Sequence, residues 1–341
     1  MNLKELAAHL GLSQTTVSRA LNGYPEVSEA TRLRVSHAAE QHNYRPNTRA
    51  KGLATGRTMA VGHVIPTSTR HEMVNPIFGD FISGAGETYA RHGFDMVLSM
   101  VEDGHQPRVY RELKAKGTVD GLIVQGPGVS DPRIGLLRDL DIPFVVHGRA
   151  SEETREYAWL DVNNTSAFAS ATALLLDLGH RRIAFLNGLE AMDFARRRRA
   201  GFEMALAQRG LGPNPRHMRS AEMTEGYGYA SAREMLLGAD PPTAFLVSSL
   251  ITALGVRRAV EEFGMTLGRD VSLITHDDDL SYLRNAGEVP YFTATRSSVR
   301  EAGMLCAQML LDLIHAPREA LPTRLLEAPL VLGRSTGPCP T

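Results

Sequence analysis

From residue 59 onward the chain repeats one unit: a short apolar run, then a longer stretch whose apolar residues fall at helical spacing. The runs are MAVGHVI (59–65), DMVLSMV (95–101), GLIVQ (121–125), PFVVHG (143–148), RIAFLNG (182–188), TAFLVSS (243–249) and VSLITH (271–276). Helical stretches at 78–92, 165–178, 194–210, 229–237 and 252–263 stand between them. Parallel strands need a crossover connection, usually a helix. The alternation therefore predicts parallel sheets with helices on both faces. Seven or more strands over this length suit two doubly wound subdomains facing each other across a cleft. Ligands of open α/β sheets bind beyond the carboxyl ends of the strands, so the cleft is where a site belongs.

The first 57 residues break this pattern. Asn2 and Glu5 form an N-x-x-E capping box, and Leu3, Leu6, Ala7 and Leu10 follow at helical spacing up to a turn at Gly11. Residues 12–23, LSQTTVSRALNG, then give a second helix with Ser13 as its cap. Its narrow inner stripe is Val17, Ala20 and Leu21, and the rest of its surface is polar. Ser28 caps a third helix running to about Asn43, with Val35, Ala38 and Ala39 inward. Three short helices with a polar second one describe a helix-turn-helix DNA-binding module. A small all-helical cap with a solvated surface is the plainer alternative.

Charge supports the first reading. The formal net charge of the 341 residues is −1, yet residues 1–57 hold eight basic and four acidic side chains, a net of +4 that leaves −5 for the remainder. A basic end on a mildly acidic body suits a polyanion-binding head. No run of about 18 apolar residues provides a membrane span. The N-terminal residues are too polar for a signal peptide, and a cytoplasmic location is expected. Cys306 and Cys339 are too few for a disulfide framework or a four-cysteine zinc site.

V-S-R-A-L-N (17–22), V-S-E-A-T-R (27–32) and N-Y-R-P-N (43–47) together resemble the headpiece of the lactose/galactose-repressor (LacI/GalR) family. L-G-H-R-R-I-A (178–184) and H-D-D-D (276–279) extend the resemblance through the body. It implies an N-terminal all-α helix-turn-helix headpiece (1–45), a hinge helix (46–57) and an α/β body (58–341) similar to periplasmic sugar-binding proteins. The body would comprise an N-subdomain of 58–158 plus 292–318 and a C-subdomain of 159–291 plus 319–341. By this resemblance Gln14 and Thr15 read base edges, with Arg19 on the same helix face. Glutamine can pair with the N6/N7 edge of adenine and arginine with O6/N7 of guanine. Ser13, Thr16, Ser18 and Asn22 are expected to hold phosphates and set register. In the hinge, Asn47 matches the helix start, Ala50 the small residue and Leu53 the leucine that wedges into the minor groove and kinks DNA. A basic linker is the other reading of this segment, and both can hold. Gly52 weakens a helix by roughly 1 kcal/mol relative to alanine, so a helix this short should form only on DNA.

Several residues are expected at the cleft. Asn75 and Phe78 follow the first body strand, with Phe78 either stacking on a ligand ring or packing in the core. Gln125 stands at the carboxyl end of GLIVQ, facing ligand or solvent. In the run RRRR (196–199), Arg198 shares a helical stripe with Phe194, Phe202 and Ala205, which puts a cation on the inward face. The family places a ligand-binding arginine there, and a planar guanidinium suits vicinal hydroxyls or a carboxylate. Asp277 follows an apolar strand and matches the family's ligand-binding aspartate, while Asp278 and Asp279 are expected to cap or meet solvent. Three adjacent aspartates cannot easily converge on one metal ion. Two departures retune the pocket. Ser248-Ser249 stands where many relatives carry asparagine-aspartate, leaving Ser249 a shorter reach. Asn163-Asn164 replaces aspartate-asparagine, with Asp161 as a substitute charge.

The chain therefore reads as a ligand-responsive repressor, dimeric on a pseudo-palindromic operator, with no cofactor. Its effector is expected to be a neutral sugar rather than a nucleobase, since one candidate stacking ring is visible. A solute-binding transport protein would share the body but not the head. No catalytic constellation stands in a convincing context for an enzyme. The tail lacks a heptad repeat for tetramer formation.

Overall fold

The structure is a computed structural model that describes residues 1–21, 23–44, 57–66, 75–102, 104–316 and 320–340. It divides into two compact units, residues 1–59 with 117–120, and residues 60–116 with 121–341.

The first unit holds α1 (Leu3–Leu10), α2 (Gln14–Leu21) and α3 (Glu29–Gln41). The capping box of α1 forms as expected, and Gly11 closes the helix in the left-handed region at φ 65°. Ser13 Oγ accepts from Thr16 N at 3.0 Å, and Ser28 Oγ accepts from Thr31 N at 3.3 Å. Leu6, Ala7, Val17, Ala20, Val27, Val35, Ala38 and Ala39 form one small core. Arg34 Nη2 donates to Leu10 O at 2.9 Å and ties α3 to the end of α1.

The second unit is built on two six-stranded sheets. Its strands are β1 (Ala60–Pro66), β2 (Asp95–Val101), β3 (Gly121–Gln125), β4 (Phe144–His147), β5 (Trp159–Val162), β6 (Ile183–Asn187), β7 (Met218–Ser220), β8 (Ala244–Val247), β9 (Ser272–Asp277), β10 (Thr293–Arg296), β11 (Thr323–Leu326) and β12 (Leu330–Val331). One sheet runs β11-β5-β4-β3-β1-β2 and the other β12-β10-β9-β8-β6-β7. Every pairing is parallel except β10 with β12. The helices are α4 (Pro76–His92), α5 (Gln106–Ala115), α6 (Pro132–Asp139), α7 (Asn164–Asp177), α8 (Asp193–Ala207), α9 (Glu225–Leu236), α10 (Leu250–Glu262) and α11 (Val299–His315). Most of the apolar runs read from sequence are buried; the edge strand β2 is the exception, with Leu98 and Met100 exposed. Phe185, Leu246 and Ile274, for example, are fully enclosed. Burying each such side chain contributes about 1.5–3 kcal/mol.

All seven expected strands are present, and β5, β7, β10, β11 and β12 join them. The added strands change the subdomain boundaries. β5 pairs with β4 and β11, so the first crossing follows Val162 rather than residue 158. β10 pairs with β9, which moves the second crossing from 291 to beyond Arg296. β11 returns to the first sheet, so the third crossing follows Leu326 rather than residue 318. These strands are two to four residues long, and all but β12 carry polar residues, as in TATR and TRLL. Hydrogen bonding to a sheet neighbour, not an apolar run, makes them strands.

The segment SGAGE (83–87) on α4 lets two helices pack closely. At Gly84 on α4 a Cβ would lie 2.1 Å from Arg300 O on α11, and at Gly303 on α11 it would lie 2.1 Å from Phe81 O. The two helices touch backbone to backbone through this reciprocal pair.

Candidate functional site

On α2 the inward stripe leaves Gln14, Thr15 and Arg19 exposed, on the polar side expected to face DNA. Ser13 is exposed as well, but its hydroxyl is engaged as the cap and bonds Thr16 Oγ1 at 2.8 Å. Thr16 and Ser18 are half-buried. Asn22, Asn47, Ala50 and Leu53 lie outside the described residues.

In the second unit a cavity of about 440 Å³ lies at the carboxyl ends of strands from both sheets. Gln125 ends β3, His147 ends β4, Asp161 lies on β5, Ser248 follows β8 and Asp278 follows β9. Helix starts supply the rest, among them Asn75 and Phe78 of α4, Asn164 of α7 and Phe194 of α8. A parallel sheet sends every strand end and every following helix start to the same edge, which is why residues so distant in sequence meet there.

Arg198 is the most constrained group in the wall. Its Nε donates to Asn164 Oδ1 at 2.8 Å and its Nη1 to Ser248 O at 2.5 Å. Its guanidinium lies 5.1 Å from the Phe168 ring centroid and 4.9 Å from that of Phe194. Two rings, one amide and one carbonyl leave it little rotamer freedom. Burial lowers its pKa to about 10, with Asp278 and Asp161 opposing the shift, so it stays a cation at neutral pH.

Asp278 is largely buried beside it. Burial pushes its carboxyl up to about 7, Arg198 pulls it back and Asp277 adds to the rise. His276 Nε2 lies 3.6 Å from Asp278 Oδ1, while its Nδ1 meets Thr295 Oγ1 at 3.0 Å. Burial and Arg198 hold His276 well below the usual imidazole range, so it is neutral. His147 is neutral too, lowered by burial to about 4, with its ring stacked 4.6 Å from that of Phe81.

Gln125 Nε2 is enclosed and has no hydrogen-bond partner among the described residues. A buried amide donor at a cavity wall marks a place where another acceptor belongs. Asp161 lines the same wall, but its carboxylate accepts from Arg149 Nε at 2.8 Å. It reaches the cavity as part of an ion pair, not as an isolated charge. Asn75 caps α4, accepting from Ile77 N at 3.0 Å, and Phe78 presents its ring at the cavity while packed at the helix start.

Two residues expected at the cleft do not line the cavity. Asp277 is enclosed and does not line the cavity; its Oδ1 accepts from Asp279 N at 2.9 Å and its Oδ2 lies 3.9 Å from Arg296 Nε. Side chains alternate faces at a strand end, so His276 and Asp278 turn to the cavity and Asp277 away. Asp278, expected to cap or meet solvent, takes the place expected of its neighbour. Ser249 is likewise enclosed and caps α10, accepting from Thr252 N at 3.2 Å. Ser248 lines the cavity instead, and its hydroxyl donates to Asn187 Oδ1 at 2.8 Å. Sequence reasoning also missed His147, His276 and Phe194. The signal for the histidines was their place at strand ends; Phe194 was already visible one helical turn before Arg198.

The wall is closed on one flank by contacts between the two lobes. Gly128 and Met192 form an antiparallel bridge, and Ser151 N donates to Asp193 Oδ2 at 2.7 Å. Arg197 Nε donates to the other oxygen of Asp193.

Comparison with known proteins agrees with this architecture. The model of bacterial regulatory proteins of the lacI family matches residues 2–47, and that of a periplasmic binding protein-like domain matches residues 172–336. The chain is 43% identical over 340 residues to the HTH-type transcriptional regulator AglR of Rhizobium meliloti (strain 1021), covering 100% of this chain and 95% of that one. It is similar to the solved complex of the transcriptional regulator CelR with cellobiose, at 27% identity and a TM-score of 0.72, covering 98% of this chain and 99% of that one. It is also similar to the lac repressor dimer bound to operator and the anti-inducer ONPF, at 25% identity and a TM-score of 0.83, covering 99% of each chain. A three-helix head with a polar second helix, a doubly wound two-sheet body and a full-length likeness to a transcriptional regulator converge: this chain belongs to the LacI family of bacterial transcriptional regulators.

Proposed function

We propose that this regulator is a homodimeric repressor whose hold on a pseudo-palindromic operator is set by a sugar bound in the cavity. The observation that carries the ligand reading is the wall built by Arg198, Asp278 and Gln125. A fixed guanidinium, a carboxyl and an amide donor with no partner among the described residues together offer both donors and acceptors, as a polyol requires. Phe78 and Phe194 add two rings against which a pyranose face can lie. The cavity volume of about 440 Å³ falls in the range of small-ligand sites, roughly 300–1,000 Å³. The cellobiose complex of CelR supports the same ligand class. The head supports regulation over solute transport, and no helix among the described residues is long and apolar enough to cross a membrane. We place the protein in the cytoplasm with its operator and assign it no catalytic step.

In this reading Gln14, Thr15 and Arg19 read bases, while Ser13, Thr16, Ser18, Asn22 and the hinge residues Asn47, Ala50 and Leu53 position and bend the DNA. A ligand shifts operator affinity only if it prefers one arrangement of the lobes. The test is operator affinity with and without panels of sugars, purines and amino acids. A response to sugars supports the proposal, and a response confined to purines or amino acids overturns the ligand class.

A further inference from the structure

Three hydrogen bonds gather on one carboxylate where the chain leading from the head reaches β1. Asp120 Oδ1 accepts from Thr58 N at 2.7 Å and from Thr58 Oγ1 at 3.0 Å, and Asp120 Oδ2 accepts from Met59 N at 2.7 Å. All three residues belong to the first compact unit. Two successive backbone N–H groups on one anion fix the dihedral angles between them, and charge-assisted bonds of this kind are short and strong. Met59 is held in the left-handed region at φ 55°, a conformation that a side chain disfavours and that persists only where the surroundings impose it. Thr58, Met59 and Asp120 are half-buried, so water could satisfy the same N–H groups. What the carboxylate adds is a fixed backbone.

Asp120 is itself firmly seated. The next residue, Gly121, opens β3 and pairs with Val61 of β1. A Cβ on Gly121 would lie 2.9 Å from Leu310 Cδ1 and 3.0 Å from Pro143 O, so β3 starts flush against its neighbours. Leu122, Ile123 and Val124 are enclosed, with β1 along one edge and β4 along the other. Five residues beyond Asp120, about 16 Å along a parallel strand, β3 ends at Gln125 in the cavity wall. A strand packed on both faces and paired on both edges moves as a rod rather than by bending.

We propose that Asp120 is a positioning residue of the ligand response, a role that rests on the sugar-responsive reading above. A shift of Gln125 travels along β3 to Asp120, and Asp120 passes it to the backbone of residues 58–59, which leads to the head. Asp120 does not line the cavity, so it acts only through the backbone it holds.

The test uses the full-length protein, a duplex operator that the unmodified chain selects from a random library, and a panel of neutral mono- and disaccharides. Asp120→Ala removes all three bonds, while Asp120→Asn keeps one acceptor oxygen and loses the other. In both variants calorimetry should give a sugar affinity within about twofold of the unmodified chain. The ratio of operator affinities without and with sugar should shrink toward one, by at least about fivefold in Asp120→Ala and less in Asp120→Asn. Ligand-free operator affinity should also fall about fivefold in Asp120→Ala, since the freed backbone must be ordered again on DNA. Hydrogen exchange should speed up at residues 58–59 in Asp120→Ala and stay unchanged at 121–125. An unchanged ratio in Asp120→Ala overturns the proposal. Sugar affinity lost together with the ratio overturns it as well, because Asp120 would then merely support the fold. If no sugar alters operator binding by the unmodified chain, the sugar reading falls. The positioning role is then decided by exchange at 58–59 and by ligand-free operator affinity, and no change in either overturns it.

Discussion

Arg198 shows how one side chain can be both buried and charged. Its two committed donors and two flanking rings satisfy the desolvated guanidinium, and the nearby carboxyls keep it protonated. Arg198→Ala should weaken sugar binding by about 10–100-fold, the loss of a hydrogen bond to a charged group. Operator affinity measured without sugar should stay close to that of the unmodified chain. Titrations of operator with and without sugar check both points, and an undiminished sugar response places the ligand elsewhere. Asp278 adds a pH dependence. Its carboxyl sits at about 7 in the folded chain against 3.8 ordinarily, so between about pH 4 and pH 7 the native state holds a proton that the unfolded state has released. The contribution of this group to stability is complete below about pH 4 and is lost as pH rises to about 7. Thermal unfolding from pH 5 to 8 should therefore fall more steeply for the unmodified chain than for Asp278→Asn. Parallel slopes would refute the raised carboxyl. On the head, Arg19→Ala should cost about 1–3 kcal/mol and relax preference at one operator position, read by titrating every single-base variant of the site. Equal loss on all variants would make Arg19 a phosphate contact.

At the scale of elements, α4 and α11 are coupled through glycine. A methyl at Gly84 would be driven against Arg300 O, so the helices must separate or the backbone must bend. Gly84→Ala should destabilise the chain by roughly 1–3 kcal/mol in denaturant unfolding, the usual cost of overpacking. No loss would mean that the helices part without penalty. The α2 helix shows the converse economy: Val17 and Ala20 anchor it, and Gln14, Thr15 and Arg19 stay exposed. Most elements were legible because their periodicity is strong. β3 (GLIVQ) and β2 (DMVLSMV) match their sequence readings residue for residue. β7, with MRS, and β10, with TATR, were not legible, because a polar strand of three or four residues has no pattern until its neighbour is in place.

At the scale of the molecule, the body joins two sheets through three chain crossings, and the cavity draws its wall from both. A sugar that binds the folded body and not the unfolded chain must stabilise it, by about 2.7 kcal/mol at a hundredfold excess over its dissociation constant. Thermal unfolding in a titration of the responding sugar should show the midpoint climbing with concentration. A midpoint indifferent to a sugar that alters operator affinity would locate that effect outside the folded cavity.

Local sequence determined the class of each part of this chain. Hydrophobic period separates helix from strand, caps and glycines end the helices, and a polar helix carried on two or three apolar anchors announces a surface meant for DNA. Those signals act over a few residues and need no distant partner. Tertiary structure decided which side chains face the cavity. Asp278 rather than Asp277, and Ser248 rather than Ser249, depend on the residue at which β9 and β8 stop pairing, and a step of one residue turns a side chain from one face to the other. The lobe boundaries were decided in the same way, because β5, β10 and β11 belong to the sheets whose edges they pair with, wherever the chain comes from.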